Sequence, residues 1–498
     1  MNKIKKLLIF GMAFIGTSCN SWLDIQPEDN IMEKELFESQ DGFLMALNGI
    51  YLNMNSSYSY GGCLTSSVID VMGQYYNCSS TDHSYHLFQS YSYEQSRVKE
   101  YFSSTWETTY KQLADLNAIL EHCGDGNPVL SDLYYRLIKG EALGLRALFH
   151  FDLLRLFGPV WSEKEKESIP YMTSSDRSIQ PLLRADSVAE RVLNDLAAAA
   201  DLLKDVDPVI TEGGKNESGG ISGNDLNYRI YRMNYFAVQA LRARVYLWKQ
   251  DYANAKKYAV ETIEAVQNGD SPLFTLYFAG YASSAPKDMM YEPEILFSLY
   301  NSLRTNNVYK TYFTSDLNIY NLLIPQGDYQ SGRVKNMYET ENDYRLSIWE
   351  EKTKDNTNIV CMQKYADVTG STDAEKLQVE RYRYMIPLVR LSELYLIAAE
   401  CIGLHEQNVA EAVEKYMNPL RLARNCIDLE TNISTTTLNT HIMNEYIRDF
   451  IGEGQTFFYF KRNELENIPD GTQANQMMNM IQSNYVVPLP EKETSQRD

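Results

Sequence analysis

Apolar residues recur along most of this chain at the spacing of one helix face. Leu143, Ala147, Phe151 and Leu154 fall at i, i+4, i+8 and i+11, which stacks them on one side of a helix. Gly158-Pro159 stops that run. Ala237, Leu241, Val245 and Trp248 repeat the pattern. After a break at Gln250-Asp251, Ala255, Ala259, Ile263 and Val266 give a second helix, closed by Asn268-Gly269. Leu391, Leu394, Ala398 and Ile402, then Val409, Val413 and Tyr416, form a further pair, and Ser187 to Leu203 is an Ala-rich helix. Helix–turn–helix units with small residues at their contacts predict a mostly α fold of tetratricopeptide-like pairs. No strict sequence repeat accompanies them, so the units are degenerate.

Long polar stretches separate the helices. Residues 55–95 carry many Ser, Tyr, Asn and Gly. Residues 208–227 are Gly-rich and read as a surface loop, and 271–375 mix short apolar runs with Tyr, Asn and Thr. Loops of that length are functional or disordered, and their aromatic content argues against disorder. No linker cuts the chain cleanly, which predicts one large domain over 19–498.

The first residues follow another logic. Lys3, Lys5 and Lys6 precede an apolar run, Leu7 to Ile15, too short to span a bilayer as a mature helix. Small residues Gly16-Thr17-Ser18 lead directly to Cys19. This resembles a bacterial lipoprotein signal: 1–18 would be removed, Cys19 acylated, and 19–30 would tether the domain to the membrane. Gly16 stands where Leu is usual. No later apolar run reaches about 18 residues, the length of a spanning helix.

Composition narrows the function. The net charge of −20 repels phosphate backbones, which argues against nucleic acid, and against adhesion to anionic lipid through a basic face. Tyrosine is over-used, with 37 Tyr against 18 Phe and 5 Trp, and its apolar face and polar tip suit both wet interfaces and semi-buried packing. Besides Cys19 there are Cys63, Cys78, Cys123, Cys361, Cys401 and Cys426, in no zinc or C-x-x-C spacing. They read mostly as small buried apolar residues, with a Cys63–Cys78 bridge open in an exported protein.

Motifs for chemistry are weak. His83 and His86 beside Asp82 lie in a Ser/Tyr loop without an H-E-x-x-H pattern, so they read as solvated or ligand-facing histidines rather than metal ligands. The Gly-rich 212–225 segment has no Lys-Ser/Thr end to cradle phosphate, and there is no G-x-S-x-G elbow. No pair of carboxylates stands out for glycoside hydrolysis; the acidic residues read as solvated helix faces. The chain is expected not to be an enzyme, and no cofactor is indicated, a structural or ligand-bridging Ca²⁺ being left open.

Several blocks in order carry a resemblance. They are "CNSWLDIQPED" (19–29), "ALNGIY" (46–51), "WETTYKQLADLNAIL" (106–120), "EALGLRALFHFDLLRLFGPV" (141–160) and "DSVAERVLNDLAAAADLL" (186–203). "AVQALRARVYLWKQDYANAKKYA" (237–259), "EPEILFSLY" (292–300), "YMIPLVRLSELYLIAAEC" (384–401), "EYIRDFIGEGQTFFYFKR" (445–462) and "YVVPLPEKE" (485–493) follow. Together the chain resembles the SusD/RagB family of surface nutrient-binding lipoproteins. Departures are Tyr459 in place of Asp, Asn463 in place of Trp, a missing closing Asn-Pro, and Asn418-Pro419, where a proline should break or kink a helix near residue 418.

The resemblance implies four tetratricopeptide-like helix pairs as scaffold, long loops that carry the ligand, and few short strands. It also implies a lipid-anchored outer-membrane location at the cell surface. The implied partner is a SusC-like TonB-dependent β-barrel transporter that receives a captured glycan, or, as in RagB-type members, a peptide. Family ligand contacts come from loops after the first helices and from the middle region. Here the first window holds Tyr75, Tyr76, Asn77, His83, Tyr85, His86, Tyr91 and Tyr93. The second holds Asn306, Asn307, Tyr309, Tyr312, Phe313, Asn318 and Tyr320. Tyr75, Tyr76, Asn77, Tyr85, Tyr309, Tyr312 and Tyr320 are the expected ligand-binding residues, while Trp106 and Trp248, inside helical blocks, are expected in the core.

Overall fold

A computed structural model describes residues 33–176, 178–214, 224–278, 286–495 and 497. The signal segment, Cys19 and the 19–30 tether lie outside the described residues. Long helices dominate: α1 Gln40–Asn53, α2 Ser96–Cys123, α3 Asp132–Phe157, α4 Ala185–Leu203, α5 Tyr235–Trp248 and α6 Tyr252–Gln267. Strands are short: β1 Ile295–Tyr300, β2 Trp349–Lys354, β3 Thr357–Met362 and β4 Met385–Arg390. Then follow α7 Leu391–Glu400, α8 Val409–Ala412, α9 Asn418–Ala423, α10 Thr435–Asp449, α11 Thr456–Arg462, and the strands β5 Asn467–Pro469 and β6 Met477–Asn479.

Four neighbouring pairs form the scaffold: α2 with α3, α5 with α6, α7 with the 409–423 run, and α10 with α11; α4 packs against both α3 and α5. Every residue of the predicted faces on α3, α5, α6 and α7 is buried, as are Trp106 and Trp248. Side-chain caps set the starts. Ser131 accepts from Tyr134 N, Asn234 from Ala237 N, and Asp251 from Asn254 N, each satisfying an otherwise orphaned N–H of the first turn.

Pro419 acts as expected in part. The α-helix stops at Ala412, a π turn covers Val413–Met417, and α-helix resumes at Asn418. The wider turn accommodates a residue that has no N–H to donate, and the backbone stays helical through it. The described part of the 271–375 stretch is more ordered than a loop. It holds β1, which pairs antiparallel with β4, and the β2–β3 hairpin. Asp355 and Asn356, at φ 49° and 60°, form that hairpin's two-residue turn, the left-handed pair that matches strand twist.

The acidic residues are not all on solvated faces. Glu294, Glu445 and Asp449 are buried among Arg345, Arg390, Arg421 and Arg424. Arg424 donates to Glu294 at 2.6 Å and to Asp449 at 2.8 Å, and Arg390 donates to Glu294 at 3.1 Å and Glu453 at 2.8 Å. Burial alone would raise the Asp449 carboxyl, but Arg424 and Arg390 outweigh it and hold it well below its ordinary range. This network ties the segment before β1, the end of β4 and helix α10 together.

Candidate functional site

The "IGEGQ" stretch explains how the first window is held. Gly452 and Gly454 sit at φ 81° and 70°, and a Cβ on Gly454 would lie 2.2 Å from the Leu64 carbonyl oxygen. Only glycine fits both demands. The turn aims the Gly452 and Gly454 N–H groups at the Asp70 carboxylate, at 2.6 and 3.1 Å. Burial raises the Asp70 carboxyl well above its ordinary range, while these two bonds oppose the rise. Asp70 lies in the short helix Val68–Met72, immediately before Tyr75, Tyr76 and Asn77. The scaffold therefore fixes where the first loop leaves it.

The two windows meet. Asn77 N donates to Ile324 O at 2.8 Å, Ser84 N to Tyr320 O at 2.7 Å, and Ser84 Oγ to Asn321 Oδ1 at 2.5 Å. His83 Nε2 lies 3.2 Å from Leu322 O. The Tyr85 ring lies edge-on to Tyr312 at 6.4 Å. Segments more than two hundred residues apart thus form one face, closed by backbone bonds.

Their side chains divide sharply. Tyr75 and Tyr76 are fully buried, which corrects their assignment as ligand contacts. Tyr75 donates to Ile447 O at 2.7 Å and shares a proton-bearing contact with Thr456 Oγ1 at 2.5 Å, while Tyr76 packs against Phe313. Tyr312 is buried too, with its hydroxyl against Gly62. Tyr91 and Tyr93 are anchored inside, donating to Met72 O and Asn484 O, both at 2.6 Å. The Tyr75, Tyr91 and Tyr93 phenols each find a backbone acceptor, so burying them leaves no group unpaired, whereas the Tyr76 hydroxyl meets only the Met362 sulfur at 3.9 Å. His83 is buried rather than solvated, and burial lowers its pKa; His86 Nδ1 sits 2.9 Å from Cys78 O.

What remains accessible is smaller. Tyr320 is 42% exposed beside exposed Asn318 and Asn321, and its carbonyl accepts from the Ser84 N–H across the junction. Asn77, Tyr85 and Tyr309 are half-buried, with Tyr309 donating to Gln363 Oε1 at 3.0 Å. Asn306 and Asn307 are exposed. Sequence reading missed Tyr58 and Tyr101, whose rings lie 5.1 Å apart, with Tyr58 37% exposed. Tyr101 also packs on Phe88, which packs on Tyr85. The signal for them was present: Tyr58 directly follows α1, and Tyr101 falls in the first turns of α2.

Cys63 and Cys78 are not bridged; both are buried free thiols, and burial pushes Cys63 up to about 12. Among the described residues, no group of three His, Cys, Asp or Glu could hold a metal ion, and no helix is long and apolar enough to cross a membrane.

Two family models match the chain. One, described as starch-binding associating with outer membrane, matches residues 21–211, and the other, the SusD family, matches 238–497. The chain belongs to the SusD family. A SusD-like protein of Bacteroides ovatus is 22% identical over 304 residues, 60% of this chain and 48% of that protein, so the alignment spans about half of that relative. The fold is similar to that of a SusD superfamily protein from Bacteroides thetaiotaomicron, with TM-score 0.69 and 22% identity over 92% of this chain and 98% of that one. It is also similar to surface glycan-binding protein A from Bacteroides thetaiotaomicron, solved in complex with laminarihexaose, with TM-score 0.59 and 16% identity over 92% and 97% of the two chains. At these identities the likeness carries the SusD-like fold.

Proposed function

We propose that this SusD-family chain captures a glycan at the cell surface and passes it to a SusC-like TonB-dependent β-barrel transporter in the outer membrane, with Cys19 as its lipid anchor. The observation that carries the reading is the joined face: exposed Tyr320 between exposed Asn318 and Asn321, with Ser84 bonded to the Tyr320 carbonyl and the Asn321 amide oxygen across the junction. An aromatic face buries the apolar C–H side of a sugar ring, and amides and hydroxyls meet its hydroxyl groups. Membership of the family and the glycan-bound relative support the same ligand class.

No observation favours a peptide ligand. The "IGEGQ" stretch holds Asp70 through the Gly452 and Gly454 N–H groups and serves the scaffold, so it says nothing of the ligand. Calorimetric titration against a broad polysaccharide panel tests the reading. Binding to at least one glycan, weakened by Tyr320→Ala and unchanged by Tyr75→Phe, is expected; silence across the panel, with peptides co-purifying instead, overturns it. For the anchor, Cys19→Ala should release the protein from membranes when the transporter gene is deleted.

A further inference from the structure

A separate cavity of about 420 Å³ opens where residues 333–339, helix α10 and the β5–β6 hairpin meet. Two arginines line it, and each keeps one guanidinium nitrogen without an acceptor among the described residues. Arg333, 8% exposed, donates from Nη1 to the Asp470 carbonyl at 2.6 Å, and among the described residues its Nε has no acceptor. Arg448, 1% exposed, gives Nη2 to Glu339 at 2.8 Å and Nε to Asn444 O at 3.1 Å; its Nη1 has no acceptor there either. Buried donors without partners are rare in native folds, and a charged donor gains most from an anion.

The neighbouring carboxylates are already engaged. Glu339 meets Arg421 at 2.7 Å and His441 at 3.5 Å besides Arg448. Asp470 accepts from the Thr472 N–H and hydroxyl, each at 2.7 Å. The unspent capacity of the cavity is therefore cationic. The rest of the wall includes the amides of Asn336, Asn444 and Gln476 beside Tyr338 and Met477, a mixture that fits hydroxyls and a ring face. We propose that this cavity binds the carboxylate or sulfate of an acidic sugar unit, with Arg333 and Arg448 as its donors.

The ligand class rests on the glycan reading above; the demand for an anion rests on the two guanidinium groups. Burial lowers Arg333 to about 10, with Tyr75 and Asp470 opposing the fall, so it still presents a full charge at neutral pH. Segment 74–77 bonds to both regions: Asn77 to Ile324 at the tyrosine face, and Gln74 Oε1 to Gly471 N, 3.3 Å, on the hairpin.

The test is calorimetric titration of the full chain carrying Cys19→Ala. The probes are digalacturonic acid, its dimethyl ester, galactose 6-sulfate and trialanine. Binding of the acid or of the sulfated sugar, at least tenfold tighter than the ester, is expected, and the arm that binds identifies the anion. Arg333→Gln should cost at least tenfold. Because that side chain is buried, Asn336→Trp at the exposed rim serves as a second variant; it should block binding with an unchanged melting temperature. The proposal is overturned if neither anionic sugar binds, if acid and ester bind alike, if trialanine binds in their place, or if Asn336→Trp binds undiminished. If neutral glycans still bind in a Tyr320-dependent way while both anionic sugars fail, the cavity proposal falls and the tyrosine-face reading stands.

Discussion

Around Glu294 and Asp449 the interior is charged, whereas around Tyr85 and Tyr320 aromatic rings reach the surface. The two regions invert the simple rule of apolar inside and polar outside, and the same cause explains both. A carboxylate is tolerated inside when guanidinium groups surround it. A tyrosine goes inside when its hydroxyl finds a carbonyl, as Tyr75, Tyr91 and Tyr93 do. Tyr320 keeps an accessible face. Location in this chain follows from partners rather than from residue type.

The strongest way to break this comparison is to remove one member of the charged interior. Arg424→Met leaves Glu294 and Asp449 short of a countercharge and should cost about 3–5 kcal/mol, read as a lower urea midpoint; a loss below about 1 kcal/mol would mean that the pair behaves like a surface contact. Gly454→Ala forces a side chain onto a left-handed residue and into the Leu64 carbonyl. It should cost roughly 1–3 kcal/mol, with glycan affinity falling only as the Asp70 anchor loosens.

The charged region also has a pH signature. Burial, opposed by Arg381, pushes the Glu292 carboxyl from 4.5 up to about 7. Between those values the folded state keeps a proton that the unfolded chain has lost, so stability falls as pH rises through the window. At about 1.4 kcal/mol per pH unit, the change is at most about 3 kcal/mol. Glu292→Gln should flatten the difference in urea midpoint between about pH 5 and about pH 8; an unaltered slope would assign it to other groups.

The tyrosine pair sharpens the contrast at the small end. Tyr75→Phe should lower stability by about 1 kcal/mol and leave glycan titrations untouched. Tyr320→Ala should move stability by less than about 0.5 kcal/mol and weaken glycan binding. Reversed results would exchange their roles.

The helical scaffold was legible because its apolar period is local: the faces on α3, α5, α6 and α7 each declare themselves within a few turns. The charged interior was not, because Glu294 and Asp449 look like any solvated carboxylates until Arg390 and Arg424 arrive from distant segments. The loop tyrosines were half legible. The family resemblance pointed to two windows, and the structure brings those windows together. It could not say which rings face inward, since the acceptors for Tyr75 and Tyr93 lie at Ile447 and Asn484. The β2–β3 turn is legible in Asp355-Asn356, two residue types that tolerate the left-handed backbone such a turn requires.

The bonds that close the tyrosine face have a consequence for how the protein comes into being. Ser84 meets Asn321 across 237 positions, and Asp70 meets Gly454 across 384. Chain ends joined over such spans are assembled late, after the entropy of a long closure has been overcome. As the amino-terminal half emerges first from synthesis, its loop waits for more than two hundred further residues before it can take shape. The joined face is thus among the last features of this chain to form, and a product truncated ahead of residue 318 would lack half of it.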